Sequence, residues 1–416
     1  MRKMKDSGIE WIGEIPSEWE VRKINNCFNM IGSGTTPKSE IEDYYNGDIH
    51  WLQSGDIHGM YITNTEKYVN QNALQEFSAL KIYKAPFIVM AMYGASIANT
   101  GIVKIDCCTN QACCVLSIPQ NDICENYIYY SLISAKSELL LLSRGGTQPN
   151  ISKDIIKQLR IPVPLLNNQQ RIADFLDDKV SQIDSVISKT KSSIEEYKKL
   201  KQSIITETVT GKVKIENGKV CGKYDTYKDS GIEWIGEIPS EWSVCQIKRF
   251  AKLYNGKEIE NEVIKSDYAI DVYGSGGVFK YTTNYLYDGE AVLFGRKGSI
   301  GKPLIVDGKF WTVDTMYFST CKQELAMNKF LFYLLKIFPW DVYTTKTALP
   351  SIVGSEIFNS FVPVPSLTSQ LSLITFLDKK CSEIDKLITK KEQLVVELEA
   401  YKKSLIYEVV TGKRSV

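Results

Sequence analysis

Histidine is almost missing: the 416 residues hold only His50 and His58. Both lie in the first third of the chain, so a function carried by both halves cannot rest on imidazole as base or ligand. An excess of one charge is missing too. Fifty Lys and Arg against 49 Asp and Glu leave a net charge of +1. No global basic field exists, and a nucleic-acid partner must be held by local patches or with help from another subunit. No apolar run reaches the length of about 18 residues that a membrane helix needs. Met1-Arg-Lys-Met-Lys leads into Asp6-Ser-Gly rather than into a signal-peptide core. A cytoplasmic protein with no membrane contact is expected. None of the ten cysteines forms a C-x-x-C pair. The doublets Cys107-Cys108 and Cys113-Cys114 sit in a strand-like apolar run, where buried reduced thiols are expected ahead of a zinc site.

Catalytic signatures are equally scarce. The chain has no nucleophile elbow, no H-E-x-x-H, no Walker A, no Asn-Pro-Pro-Tyr-type amino-methylation motif and no dinucleotide fingerprint. Gly295-Arg-Lys-Gly-Ser-Ile-Gly301 superficially resembles a phosphate loop. Its spacing fails by one residue, and Pro303 stands where Ser or Thr would be needed. The paired carboxylates Asp177-Asp178 fall near a helix start, where they suit the macrodipole, and Asp178 becomes Lys379 in the repeat described below. No catalytic set recurs in both halves. Binding is the better class, with no catalytic residue, metal or cofactor expected in this chain.

What the chain does have is one long uninterrupted stretch, written twice. Between Gln169 and Thr210 there is neither Gly nor Pro. Ile172, Leu176, Val180, Ile183, Ile187, Ile194, Tyr197, Ile204 and Thr208 recur at seven-residue helical spacing with charge on the other faces. A relative runs from Gln370 to Lys413, with Leu373, Leu377, Cys381, Ile384, Ile388, Val395, Leu398, Leu405 and Val409. Each helix should run about 40 residues, roughly 60 Å at 1.5 Å per residue. So narrow a stripe needs a partner helix, and the chain supplies one of matching length. The second stripe is interrupted by Lys391, where the first copy has Thr190. The middle of the coil is then wet or splayed, or serves a partner.

The duplication reaches further. Lys5–Trp19 and Lys228–Trp242 are the same fifteen residues, KDSGIEWIGEIPSEW. From Pro162/Pro363 to Lys212/Lys413 the copies align without a gap, 23 of 51 pairs being identical. Between these constant ends the bodies differ, so the plan is a tandem duplication of domain-sized units rather than a solenoid. The expected division is a first recognition domain at 1–165 (head 5–19), a long helix at 166–212, a polar linker at 213–227, a second recognition domain at 228–365 (head 228–242) and a second long helix at 366–416. The expected fold class is α+β: two mixed α/β globular domains joined by two long antiparallel coiled-coil helices about a pseudo-two-fold axis.

Within the bodies, donor-rich loops follow strand-like runs. In the first, Gly32-Ser-Gly-Thr35-Thr36-Pro37 is a loop with small hydroxyls and open amides. Ile49–Leu52 leads into Gln53, and the run from Phe87 to Tyr93 leads into Gly94-Ala-Ser96. Strands at 101–105 and 112–118 flank Asn110. Residues 126–142 have helical spacing. The loop Arg144-Gly-Gly-Thr147-Gln148-Pro-Asn150 is either a plain turn or a surface that touches a ligand, and Ser152 caps a short helix at 153–158. In the second body, Asn255-Gly256-Lys257 replaces the Gly-Ser-Gly-Thr loop. Strands at 268–273 and 291–294 lead into Ser275 and into Arg296, Lys297 and Ser299, 311–317 reads as a further strand, and 329–337 as a helix. Thr344-Thr345-Lys346-Thr347-Ala348 parallels the Arg144–Asn150 loop. Two cations on a Gly-rich loop after a strand suit a nucleic-acid backbone or base edge.

The ordered set of motifs, twice over and across essentially the whole chain, resembles the specificity subunit of type I restriction–modification systems. Its carriers are the paired heads, Gly34-Thr-Thr-Pro37 followed by Trp51 and Gly55-Asp-Ile57, Val272-Tyr-Gly-Ser-Gly-Gly277 with Gly295–Ser299, and a Pro-x-Pro entry, a Gln and then Phe-Leu-Asp in each long helix. The resemblance implies two target recognition domains, each reading half of a split sequence on double-stranded DNA from the major groove, and a coil that sets the unspecified spacer. It implies two methyltransferase subunits carrying S-adenosylmethionine, and restriction subunits with ATP- and Mg-dependent translocase and nuclease activity; the chain itself is the non-catalytic reader. The expected DNA contacts are Thr35, Thr36, Gln53, Ser96, Asn110, Arg144, Thr147, Gln148 and Asn150, then Lys257, Ser275, Arg296, Lys297, Ser299, Thr345, Lys346 and Thr347. The competing class is a coiled-coil adaptor joining two protein partners without DNA.

Overall fold

The computed structural model describes residues 2–143 and 149–416. The chain is α+β and divides into two compact units, Met1–Thr190 with Gln393–Val416, and Lys191–Glu392. Each unit therefore contains one body, half of one long helix and half of the other. The two helices, Leu166–Val209 and Leu367–Val410, are 44 residues each.

In the first unit, Ile172, Leu176, Ile183 and Ile187 share one core with Val395, Leu405, Ile406 and Val409. In the second, Ile205 and Val209 share a core with Leu373, Leu377 and Cys381, and Ile194 packs with Ile384 and Ile388. Partners descend along one helix as they ascend the other, so the pairing is antiparallel. One ion pair is made twice by duplicated residues: Lys402 Nζ to Asp184 at 2.6 Å, and Lys201 Nζ to Asp385 at 2.6 Å. Lys391, the interruption in the stripe, lies with its ammonium 5.6 Å from the centre of the Tyr197 ring. The charge thus meets an aromatic ring of the other long helix.

The first body is built on a five-stranded sheet in the order Phe28–Gly32, Cys113–Pro119, Phe87–Ala91, Thr100–Val103, Tyr61–Ile62, beside a three-stranded sheet, Cys108–Thr109, Ile49–Leu52, Lys67–Val69. The second has a four-stranded sheet, Ala251–Asn255, Met316–Cys321, Ala291–Gly295, Leu304–Val306, and a five-stranded one, Glu262–Val263, Gly277–Thr282, Ile270–Gly274, Lys309–Thr312, Tyr287–Asp288. The run expected as one strand at 311–317 is two, Lys309–Thr312 and Met316–Cys321, in different sheets; a turn closed by Met316 N on Val313 O at 2.9 Å separates them. The helix expected over 126–142 is broken at Ala135 into Glu125–Ser134 and Lys136–Leu141. Ser152 does cap Lys153–Gln158, its side chain accepting from Ile155 N. Residues 213–227 include a β-hairpin, Lys214–Glu216 with Lys219–Gly222. The cysteine doublets are fully buried. Burial pushes the Cys108 and Cys114 thiols up to about 12, which keeps them protonated and unreactive. Among the described residues no group of three or more His, Cys, Asp or Glu could hold a metal ion.

Each body is fastened to its helices by the same three devices. First, a fully buried glutamine sits just inside each long helix. Gln169 accepts from Cys124 N at 2.9 Å and donates to Asp122 O at 2.9 Å and Pro164 O at 2.8 Å. Gln370 accepts from Met327 N at 2.9 Å and donates to Leu325 O at 3.2 Å and Pro365 O at 3.0 Å. Second, an aspartate pins the body's helix. Asp177 accepts from Tyr130 Oη at 2.7 Å and Asn126 Nδ2 at 3.0 Å, and Asp378 from Tyr333 Oη and Lys329 Nζ, both at 2.7 Å. The macrodipole reading of Asp177 is thereby corrected: three turns inside its helix, it is a docking group, and the dipole's effect fades within the first turn. Third, the repeated head closes on the end of a long helix. Gly412 at φ +72° lies against Pro16 and Trp19, and Gly211 at φ +71° against Pro239 and Trp242, with no room for a side chain at either glycine.

Candidate nucleic-acid interface

The sequence-expected residues gather around equivalent loops. In the first body, the glycine before Thr35 lies directly on the Thr109 carbonyl. Thr36 Oγ1 donates to Gln111 Oε1 at 2.5 Å. Asn110 N donates to Leu52 O at 3.0 Å, which sets Gln53 beside it, and Asn110 Oδ1 accepts from Ala112 N at 3.1 Å. Gln53 N in turn donates to Asp56 at 2.7 Å. Ala112 O accepts from Met92 N at 2.7 Å, and the next residue, Tyr93, bridges to Asn150. Ser96 ends the turn Gly94–Ser96 that follows Tyr93. Thr35, Thr36, Gln53, Ser96, Asn110 and Asn150 thus belong to one connected set of loops. Arg144, Thr147 and Gln148 lie outside the described residues.

The second body repeats the backbone part of this skeleton. Gly256 lies on the carbonyls of Thr312 and Val313. Val313 N donates to Tyr273 O at 3.3 Å, Arg296 N to Thr315 O at 2.8 Å and Ile352 N to Arg296 O at 3.0 Å, while Lys297 bridges to Ser351. These bonds match Asn110 to Leu52, Met92 to Ala112, Ile151 to Met92, and Tyr93 to Asn150. Thr345 N donates to Ser351 O at 2.9 Å, and its hydroxyl lies 3.1 Å from Ser351 Oγ and 3.2 Å from Thr347 Oγ1. That network ties the exposed 345–347 loop, including Lys346, to the strand edge that carries Lys297. Ser275 comes beside Gly295, where an added Cβ would lie 3.4 Å from the Ser275 Cβ, and Ser299 follows in the same loop. Lys257, Lys297 and Ser299 are exposed, whereas Arg296 is half-buried. The Arg296 guanidinium is 5.7 Å from the centre of the Tyr317 ring. A guanidinium stacked on a ring is oriented yet keeps its fork of donors in plane.

Sequence reading missed how the first loop of each cluster is held. Trp51 Nε1 donates to Thr35 O at 3.2 Å, and Trp311 Nε1 to Lys257 O at 3.0 Å. The indoles do the same job from different strands. Trp51 pairs with Cys108, and Trp311 pairs with Val272, across matching parallel ladders. The large side chain has exchanged places with its small neighbour between the copies, so a linear comparison of the bodies does not align the two tryptophans. Gln111, which holds Thr36, also escaped notice; a lone exposed Gln carries no pattern.

The arrangement offers polar groups and cations on fixed loops, without a nucleophile, an activated base or a metal cluster among the described residues. A family model described as the type I restriction modification DNA specificity domain matches residues 16–196 and 239–397. The chain belongs to this specificity family. Among its relatives are the type I restriction enzyme MjaIX specificity subunit of Methanocaldococcus jannaschii, 27% identical over 97% of this chain and 95% of that one, and the MjaVIII specificity subunit of the same organism, 26% identical over 96% and 93%. A solved chain from work on complex assembly and conformational transition of the type I R-M system has the same fold, with a TM-score of 0.75, 13% identity, and 96% and 99% of the two chains covered. As a specificity subunit the protein is not itself the enzyme; the methyltransferase and restriction activities of such systems lie in other subunits. No described helix is long and apolar enough to cross a membrane.

Proposed function

We propose that this specificity subunit reads a two-part sequence on double-stranded DNA, one half-site per body, inside a cytoplasmic type I restriction–modification complex. The observation that carries this reading is the matched loop cluster. Backbone contacts are kept between the bodies, while the side chains at matched positions are exchanged: Thr35 for Lys257, Tyr93 for Lys297, and Met92, buried in the first body's core, for the half-buried Arg296. A catalytic duplication would keep the side chains; a duplicated reader keeps the frame and varies what it presents. The long coil sets the unspecified spacer and offers docking surface to two methyltransferase subunits, which hold S-adenosylmethionine. Restriction subunits supply ATP- and Mg-dependent translocation and cleavage. A net charge of +1 fits a reader whose partners provide much of the phosphate contact.

Adenine methylation mapped across the genome, with and without this gene, tests the reading: a split motif should vanish with the gene. DNA retention by the assembled complex should fall steeply with salt, a slope that a protein–protein adaptor lacks. Arg296→Ala should cost about 1–3 kcal/mol of discrimination at one base pair of the second half-site if the guanidinium pairs with guanine, and weaken all sequences alike if it meets phosphate. Unchanged affinity on every duplex would remove Arg296 from the interface.

A further inference from the structure

The second body carries a feature at its loop cluster that the first lacks. The strands Ile270–Gly274 and Gly277–Thr282 form a hairpin with a two-residue turn, Ser275-Gly276. Val272 pairs with Lys280 but Tyr273 pairs with Val278, so Phe279 is an extra, unpaired residue on its strand. That is a β-bulge, a device that re-aims a side chain, often beside a functional site. Phe279 stays 53% exposed. Its ring lies across Gly274, where an added Cβ would sit 3.2 Å from two ring atoms. Ser275 at the turn adjoins Gly295, the residue before Arg296. An aromatic ring is thus held out beside the turn that adjoins the Arg296 loop. The equivalent stretch of the first body, after Leu52, is a polar turn whose Asp56 carboxylate accepts from Gln53 N at 2.7 Å and Glu66 N at 3.2 Å. No bulged aromatic stands there.

We propose that Phe279 reads the 5-methyl group of one thymine in the second half-site. This rests on the DNA-reading function above. In the major groove the thymine methyl is the one apolar mark on a base edge, and an apolar side chain is its natural complement. Hydrogen bonds cannot recognise it, so an exposed ring adds to the cluster a distinction that its donors and acceptors do not make. Placement on a bulge keeps the ring out of the sheet's own core, and Gly274 leaves space for it to lie flat.

The test uses the complex of this chain with its methyltransferase subunits and a duplex carrying the mapped target. Each thymine of the second half-site is replaced in turn by deoxyuridine, which removes only the methyl. At one position the wild-type complex should bind roughly fourfold more weakly, the worth of one buried methyl. Phe279→Ala should bind the thymine duplex about as weakly, and should not distinguish thymine from uracil there. Phe279→Leu should keep part of the preference. Unchanged discrimination at the other base pairs of the second half-site shows that the variant body is folded. Equal sensitivity to uracil in wild type and Phe279→Ala overturns the proposal, as does the absence of any sensitive position. Loss of base unstacking in Phe279→Ala, reported by 2-aminopurine fluorescence without a uracil effect, also overturns it, in favour of a wedge. A wild-type complex that binds the mapped duplex no better than a scrambled one would instead refute the DNA reading itself.

Discussion

Gln370→Leu is expected to destabilise the second unit by about 3 kcal/mol, although leucine fills nearly the same volume. The side chain is fully buried. It is the hydrogen-bond partner of Met327 N, Leu325 O and Pro365 O. Leucine satisfies none of them, and each buried backbone group left without a partner costs roughly 1–3 kcal/mol, less where water can reach it. For a unit of about 200 residues each kcal/mol moves the melting temperature by some 2–4 °C, so a shift near 10 °C is expected. Gln169→Leu should produce a similar loss in the first unit, since Cys124 N, Asp122 O and Pro164 O would be stranded in the same way. Denaturant unfolding with amide exchange at Met327 and Cys124 reads both effects. A change below about 1 kcal/mol in either variant would mean that water replaces the amide, and the clamp would lose its role.

A four-residue insertion near the middle of one long helix is expected to change the recognised sequence in one respect only. It adds about 6 Å of helix at 1.5 Å per residue, against roughly 3.4 Å per base pair along one strand. The spacer should widen by one or two base pairs while both half-sites stay the same. Four residues also keep the apolar stripe within a fraction of a turn, a stutter that coiled coils accommodate. The insertion belongs near Lys191, away from Gln169, Asp177 and the helix end at Val209, so that the fastenings to the bodies stay intact. Methylome sequencing of cells carrying the variant gives the answer directly. An unchanged spacer would refute the ruler, and altered half-sites would mean that the insertion disturbs the bodies instead.

The two outcomes separate the parts of the protein. The glutamines and aspartates hold each body to its helices, and substitution there reads out as stability. The coil's length carries no stability role of its own in this proposal, and its alteration reads out as sequence choice. Asp177 and Asp378 belong to the first group. The Tyr130 and Tyr333 hydroxyls facing them have their ionisation pushed far up, by burial first and then by the hydrogen bond to the carboxylate. Both phenols therefore stay neutral donors at any ordinary pH.

By itself the sequence determined the duplication, the two long helices and the class of function. Fifteen identical head residues and a gapless 51-pair match are linear facts, and an apolar stripe over some 40 residues demands a partner wherever the bodies lie. Membership of the specificity family followed from motif order for the same reason. Only the tertiary structure decided which loops meet. Trp51 and Trp311 hold corresponding loops from opposite strands of a parallel pair. Asp177 is a pin and not a dipole partner, Lys391 is answered by Tyr197, and Phe279 is exposed by a bulge. Helical periodicity is written in neighbours three and four residues apart, whereas strand pairing, register and bulges join residues tens of positions apart and are selected by packing across the whole body.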